Sequence, residues 1–141
     1  MWSLWYWENK ELKQKSKIPG ERWFMDITSI AVEDLAGTKF WLGFLDDCTD
    51  FFKSYSVKCK SDVKDILPDF IRTLKVSCNK HPKYIRCDDA GENWHAEMEC
   101  IWQNIRLQFE YTAPGTPQRS GKIERKFAIF HGRIRACYTA A

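Results

Sequence analysis

Three acidic residues, Asp26, Asp88 and Glu124, occupy positions where carboxylates from distant parts of the chain could meet. Asp26 lies inside the apolar run WFMDITSI, Asp88 ends the apolar run KYIRCD, and Glu124 lies near the start of the basic helical segment GKIERKFAIFHGRIRA. Carboxylate oxygens are the ligands that Mg²⁺ and Mn²⁺ prefer, and three of them leave coordination positions open for phosphate and water. The pattern favours a two-metal site for phosphodiester chemistry.

Each acid also has a structural explanation that the sequence leaves open. Burying an ionised Asp26 in an apolar strand is costly unless the carboxylate is paired, hydrogen-bonded or metal-bound, but strand alternation could instead turn it to solvent. Asp88 could belong to an Asp-rich turn, and Glu124 could be a first-turn acid favoured by the helix dipole. Asp46 and Asp47 follow another apolar strand and compete for a place in the same pocket.

The elements that must position these acids alternate between strand and helix patterns. The expected order is three strands, a helix, a strand, a helix, a strand and a final helix, with the first three strands forming an antiparallel meander. The corresponding segments are ERWFMDITSIAV, GTKFWLGFLDD, DFFKSYSVKCK, SDVKDILPDFIRTLKVSC, KYIRCD, ENWHAEMECIWQNI, LQFEYT and GKIERKFAIFHGRIRA. This order predicts an α/β fold with a mixed five-stranded sheet flanked by helices.

The two internal helices carry apolar residues at helical spacing. In the first, Ser61 is the expected N-cap, and Pro68 predicts a kink or an early first turn. The apolar positions of the second are Trp94, Met98, Ile101 and Ile105.

The last helix combines an apolar stripe with basic residues. The stripe consists of Ile123, Phe127, Phe130 and Ile134, which we expect to pack in the core. Six basic residues and one acidic residue follow position 112, whereas the rest of the chain has 16 basic and 18 acidic residues. We expect this segment to contact DNA phosphates, although a solvated helix face would have the same composition. The expected DNA-binding residues are Arg119, Ser120, Lys122, Arg125, Lys126 and Arg133.

The bulk properties predict a folded, intracellular domain. The 141 residues are 44% hydrophobic, which is enough for one core. The six cysteines form no CxxC pair, so we expect no zinc site and reduced, mostly buried thiols. Residues 1–20 form an expected lead-in, and residues 21–141 the domain. The opening MWSLWYW is too short and lacks the flanks of a signal peptide or membrane span, and its aromatic residues could pack on the domain or on a partner.

The chain resembles the integrase catalytic core of copia-type long-terminal-repeat retrotransposons, in the retroviral integrase superfamily. The matching stretches are PGERWFMDITSI, KFWLGFLDDCTDFFKSYSVKCKSD, KYIRCDDAGEN and FEYTAPGTPQRSGKIERKFAIFHGRIRA, within about residues 19–137. As in that family, 35 residues lie between the second Asp and the Glu, here Asp88 and Glu124.

The resemblance implies a ribonuclease H-like fold in which Asp26, Asp88 and Glu124 bind two Mg²⁺ or Mn²⁺ ions. It also implies trimming of the element's DNA ends, their joining to target DNA in the nucleus, and a homo-oligomeric integrase. The chain then looks like part of a mobile element's polyprotein, with a core truncated at its C-terminal end.

The chain departs from the family's pattern at three positions. Relatives generally carry Asn in place of Asp89, and Gln-Asn in place of Arg119 and Ser120. Two alternative functions stay open: a non-catalytic DNA-binding remnant of a mobile element, and a ribonuclease H acting on RNA in hybrids. The stretch TAPGTPQRSGKIERKF favours the integrase branch over the latter.

Overall fold

The computed structural model describes residues 15–30, 35–112 and 117–140, without the side chains of residues 117–120, 138 and 140. Within these ranges, five strands and three helices follow one another in the order that the sequence predicts. The strands are β1 (Arg22–Ser29), β2 (Phe40–Asp46), β3 (Phe52–Val57), β4 (Tyr84–Asp88) and β5 (Gln108–Thr112). The helices are α1 (Val63–Cys78), α2 (Gly91–Trp102) and α3 (Pro117–Ala140), and a 3₁₀ turn (Lys60–Asp62) precedes α1.

The five strands form one mixed sheet in the order β3-β2-β1-β4-β5. Neighbours β1, β2 and β3 pair antiparallel, which confirms the predicted meander. Strand β1 pairs parallel with β4, and β4 pairs parallel with β5. Because parallel strands end at the same edge of a sheet, the carboxyl ends of β1 and β4 lie side by side.

The two faces of the sheet are covered by different helices. Alternation along β1 turns Trp23 and Met25 toward the larger core, which α1 and α2 complete. In that core the rings of Phe44 and Phe70 stack with centroids 4.0 Å apart. Phe24 faces the other way and packs with Ile123, Phe127 and further apolar residues of the α3 layer. The predicted core stripe of the last helix is therefore confirmed.

The start of α1 differs from the sequence prediction. Asp62, and not Ser61, is the N-cap residue, because the 3₁₀ turn places Ser61 in the turn before the helix. Pro68 is buried inside α1, which runs through it, so it does not mark the first turn.

Helix α2 packs through the side that the sequence did not indicate. Its buried residues are Asn93, Ala96 and Cys100, whereas Trp94 and Met98 are more than half exposed. Small side chains allow α2 to lie close against α1, and helical spacing alone does not tell which face packs.

The end of the predicted lead-in contacts the domain. The Ser16 N–H donates to Asp47 Oδ2 at 2.7 Å, and the Gly20 N–H donates to Asp46 Oδ1 at 3.1 Å. The remainder of the lead-in, residues 1–14, lies outside the described residues.

The prediction of mostly buried thiols is wrong. All six cysteines are free, but Cys59, Cys78 and Cys137 are exposed, and only Cys87 and Cys100 are buried. None of the described helices is long and apolar enough to cross a membrane.

Candidate active site

Asp26 and Asp88 lie on the same face of neighbouring parallel strands. Phe24 of β1 is in register with Arg86 of β4, and continuing this register by two residues brings Asp26 level with Asp88. Neighbouring strands are roughly 4.8 Å apart. Both acids share the side of the sheet on which Phe24 packs against α3. The pairing therefore gathers two of the three predicted acids.

The surroundings of Asp26 disfavour its ionised form. Burial, followed by the negative charges of Asp88 and Glu124, raises the pKa of its carboxyl from 3.8 to about 6. The Ile27 N–H, which donates to Asp26 Oδ1 at 2.9 Å, and the positive charge of Lys60 oppose the shift in pKa. Asp26 therefore lies in a half-buried position where negative charges from β4 and α3 accumulate.

Asp88 is held by the helix that follows it. It ends β4 and is exposed to solvent. The buried Asn93 side chain donates from Nδ2 to Asp88 Oδ1 at 2.6 Å and to the Asp88 carbonyl oxygen at 3.0 Å. These bonds tie the orientation of the carboxylate to the first turn of α2.

The neighbouring Asp89 has a different partner. Its Oδ1 accepts a hydrogen bond from Trp94 Nε1–H at 2.7 Å. The two adjacent carboxylates are thus bound by successive residues of α2, Asp88 by Asn93 and Asp89 by Trp94.

Glu124 is carried by α3, which lies close to the sheet beside Asp26. Glu124 itself is exposed, and the preceding Ile123 is buried against the sheet. The residue opposite Asp26 on β2 is Gly43. A Cβ atom at Gly43 would lie 2.7 Å from Cζ of Phe127, so the absence of a side chain is what allows α3 to pack this closely.

The donor chemistry of these acids fits a hard divalent cation, because all three groups are carboxylates and their charges already crowd Asp26. Within residues 15–30, 35–112 and 117–140, however, no three His, Cys, Asp or Glu side chains form a group that could hold a metal ion. The structure thus brings Asp26 and Asp88 together on one face, while Glu124 is exposed on α3 and its charge raises the pKa of Asp26. The metal ligands stay a prediction.

Asp46 and Asp47, which competed for the same pocket, have structural roles instead. Asp46 pairs with Trp23, three residues from Asp26 and so roughly 10 Å along the strand. Its Oδ2 accepts from Thr49 Oγ1–H at 2.6 Å, which closes the turn after β2. Asp47 Oδ2 lies 3.6 Å from Nη1 of Arg22. Both acids stabilise the opposite end of the strands.

A buried ion pair underlies the candidate site. Arg86 and Glu110, from β4 and β5, lie 3.0 Å apart through Nη2 and Oε2, and both are about 5% exposed or less. The guanidinium of Arg86 also lies over the ring of Phe24, 5.5 Å from the ring centroid. Packing of this kind holds β1, β4 and β5 in register beneath the two Asp residues.

The predicted DNA-binding residues lie on α3, but they differ in their surroundings. Arg125 and Arg133 are exposed, and Lys126 is partly buried. Nζ of Lys122 lies 4.0 Å from Asp47 Oδ1, so its charge is shared with a buried carboxylate. The side chains of Arg119 and Ser120 lie outside the described part of the chain.

Asn93 and Gly43 are site residues that sequence reasoning missed. Asn93 follows Asp88 by five residues, a separation at which a helix start can return a side chain to the preceding strand end. Gly43 interrupts an apolar strand, and an isolated glycine in such a strand signals close approach by another element.

No family model matches the chain. The chain is 30% identical over 105 residues to the retrovirus-related Pol polyprotein from transposon TNT 1-94 of Nicotiana tabacum. That alignment covers 74% of this chain and 8% of the polyprotein, so the chain spans a small part of its relative.

Among solved structures, the chain is similar to a chain from the cryo-EM structure of the simian T-cell lymphotropic virus intasome in complex with PP2A regulatory subunit B56 gamma. The TM-score is 0.73 at 17% identity, over 90% of this chain and 44% of that chain. This likeness confirms the ribonuclease H-like α/β fold expected from the sequence.

Proposed function

Because this chain belongs to the integrase family of retrotransposon Pol polyproteins, we propose that it is a metal-dependent integrase core that processes DNA 3′ ends and joins them to target DNA. The observation that carries the proposal is the placement of Asp26 and Asp88 on one face of adjacent strands, with the charge of Glu124 felt at Asp26. Carboxylates this close to one another destabilise the folded state unless a cation compensates their charge. Perturbed acidic groups of this kind are typical of functional sites.

Each residue then has a defined role. Asp26, Asp88 and Glu124 would hold Mg²⁺ or Mn²⁺, which when bound polarises phosphate and supports attack by water or a 3′ hydroxyl. Asn93 orients Asp88 through its two hydrogen bonds. The exposed Arg125 and Arg133 would neutralise DNA phosphates beside the site.

The test is nicking of a supercoiled plasmid and joining of DNA ends, with Mg²⁺ or Mn²⁺ added. We expect Asp88→Asn to lower the rate by at least about 100-fold, because it removes an ionised group at the reacting centre. Asp65→Asn, an exposed substitution on α1, is the matched control and should leave the rate unchanged. Equal rates for the wild type and Asp88→Asn would contradict the proposal.

A second candidate is a non-catalytic DNA-binding domain. It is favoured by the finding that no three potential ligands among the described residues form a metal-holding group. Calorimetric titration with Mg²⁺ and Mn²⁺ separates the two candidates. DNA binding that weakens steeply with salt, without any uptake of divalent metal, would favour this second function.

The wider setting is part of the same proposal. An integrase core of this kind would act on chromosomal DNA in the nucleus and as a homo-oligomer. Analytical ultracentrifugation of the chain with and without duplex DNA tests the oligomer directly.

A further inference from the structure

Helix α2 exposes a continuous apolar stripe to solvent. The stripe, called the α2 stripe below, consists of Trp94, Met98, Ile101 and Trp102, which are 52%, 53%, 62% and 81% exposed. At helical spacing these residues fall within an arc of about 100° on the side opposite the buried Ala96 and Cys100. Two tryptophans, a methionine and an isoleucine on one helix face are typical of a surface that another segment covers.

One tryptophan of the α2 stripe is hydrogen-bonded, and the helix that carries the stripe is acidic. The hydrogen bond from Trp94 Nε1–H to Asp89 Oδ1 orients the first indole ring. Helix α2 carries Glu92, Glu97 and Glu99 and has no Lys or Arg. A complementary surface would therefore combine aromatic side chains with positive charge.

Pairing of α2 with the α2 of a second copy does not meet this requirement. If α2 lay on the axis of a two-fold interface, two acidic α2 helices would face each other. Such like-charge contacts oppose association.

We propose that the α2 stripe is the docking site for the aromatic segment of this chain's own N-terminus, residues 2–7. That segment, WSLWYW, supplies three Trp residues, a Tyr and a Leu, and residues 8–17 after it carry four Lys against two Glu. Its aromatic residues match the apolar side chains of the α2 stripe, and the lysines that follow match the glutamates of α2. Docking would bury apolar surface on both sides and place the lysines beside the glutamates of α2.

The described part of the chain starts at a point from which this docking is possible. Ser16 is anchored by Asp47, and a Cβ atom added at Gly20 would lie 3.3 Å from Cβ of Lys80, which follows α1. Helix α1 packs directly against α2, where Nη2 of Arg72 donates to Oε1 of Gln103 at the end of α2. The nine residues from Trp7 to Lys15 span eight Cα–Cα steps, up to roughly 26 Å, whereas the whole of α2 is roughly 18 Å long. The span of the segment is longer than α2 itself, and its tethering to the domain raises its effective concentration at the domain surface.

Hydroxyl-radical footprinting of the full chain, read by mass spectrometry, tests the docking. We compare the wild type with Trp5→Ser/Trp7→Ser, which removes two aromatic anchors outside the described fold. If the segment is docked, the double substitution raises oxidation of Trp94, Met98 and Trp102 by at least about threefold, because the docked population is lost. Ile129, 53% exposed on α3 at the other face of the sheet, should not change.

Two further arms identify what covers the stripe. Trp5→Phe/Trp7→Phe keeps the aromatic anchors and should keep the protection, and raising the salt concentration should weaken it. Equal oxidation of the stripe in the wild type and in Trp5→Ser/Trp7→Ser overturns the proposal. Protection that disappears on dilution, together with a dimer mass in light scattering, overturns it in favour of a second copy.

Discussion

Replacing the Asp26 carboxylate by an amide is expected to stabilise the folded chain at neutral pH. Asp26 is half-buried beside Asp88 and Glu124, and its pKa in the folded state is about 6 compared with 3.8 ordinarily. In Asp26→Asn the side-chain oxygen can still accept the hydrogen bond from the Ile27 N–H, which spans 2.9 Å in the wild type. The substitution thus removes the charge and keeps the local bond.

The sign of the pH dependence follows from the raised pKa. Below pH 3.8 the carboxyl is protonated in both states, so it contributes no difference. Between 3.8 and about 6 the folded state keeps a proton that the unfolded state has lost, so the free energy of unfolding falls as pH rises. Above about pH 6 the carboxyl is ionised in both states, and the free energy of unfolding is lowered by the full cost of ionising Asp26 in the folded protein. A rise of about two pKa units corresponds to about 3 kcal/mol, and solvent screening of the partly exposed carboxylate reduces the expected cost to about 2 kcal/mol.

The assay is urea unfolding of the wild type and Asp26→Asn, followed by circular dichroism, from about pH 3 to about pH 7.5. We expect the variant to be about 2 kcal/mol more stable at the upper end, and the difference to vanish at the lower end. Asp65→Asn makes the same change of charge on an exposed face of α1 and should show no such trend. Taking differences between variants cancels the titration of all other groups.

The reasoning is refuted if the stability difference between the wild type and Asp26→Asn is the same at every pH, or if the variant is less stable at about pH 7.5. A titration with metal ions is an independent test of the role of Asp26. Mg²⁺ or Mn²⁺ should raise the unfolding midpoint of the wild type more than that of Asp26→Asn, because a ligand that binds only the folded state stabilises it.

Three further substitutions test the parts that surround the acids. Gly43→Ala should destabilise the fold by about 1–3 kcal/mol, because the new methyl group meets the ring of Phe127, and thermal unfolding that matches the wild type would contradict this close approach. Asn93→Ala should lower the free energy of unfolding in urea by about 1–2 kcal/mol, because Asp88 loses its amide donor. The same loss should reduce the rise in unfolding midpoint that metal causes, and an unchanged metal response would exclude a positioning role for Asn93. Arg125→Ala should weaken binding of duplex DNA and reduce the steepness of log affinity against log salt concentration by about 1. Unchanged thermal stability is the control. An unaltered slope would show that Arg125 does not contact DNA.

The sequence by itself determined the elements of this protein and their order. Alternating apolar strands, helical spacing and turn residues depend on neighbours within a few positions, so they can be read without the fold. The same holds for the core stripe of α3, where Ile123 and Phe127 pack as expected. The separation of Asp88 and Glu124, with the motifs around them, also identified the family before any geometry was known.

Only the tertiary structure decided which residues share a surface. The register of β1 and β4 brings Asp26 level with Asp88, and the turn after β2 binds Asp46 at the other end of the strands. Likewise, α2 packs through Ala96 and leaves Trp94 exposed, although its apolar spacing suggested the reverse. Register and the choice of a packing face depend on partners far away in the chain, and local sequence patterns carry no information about those partners.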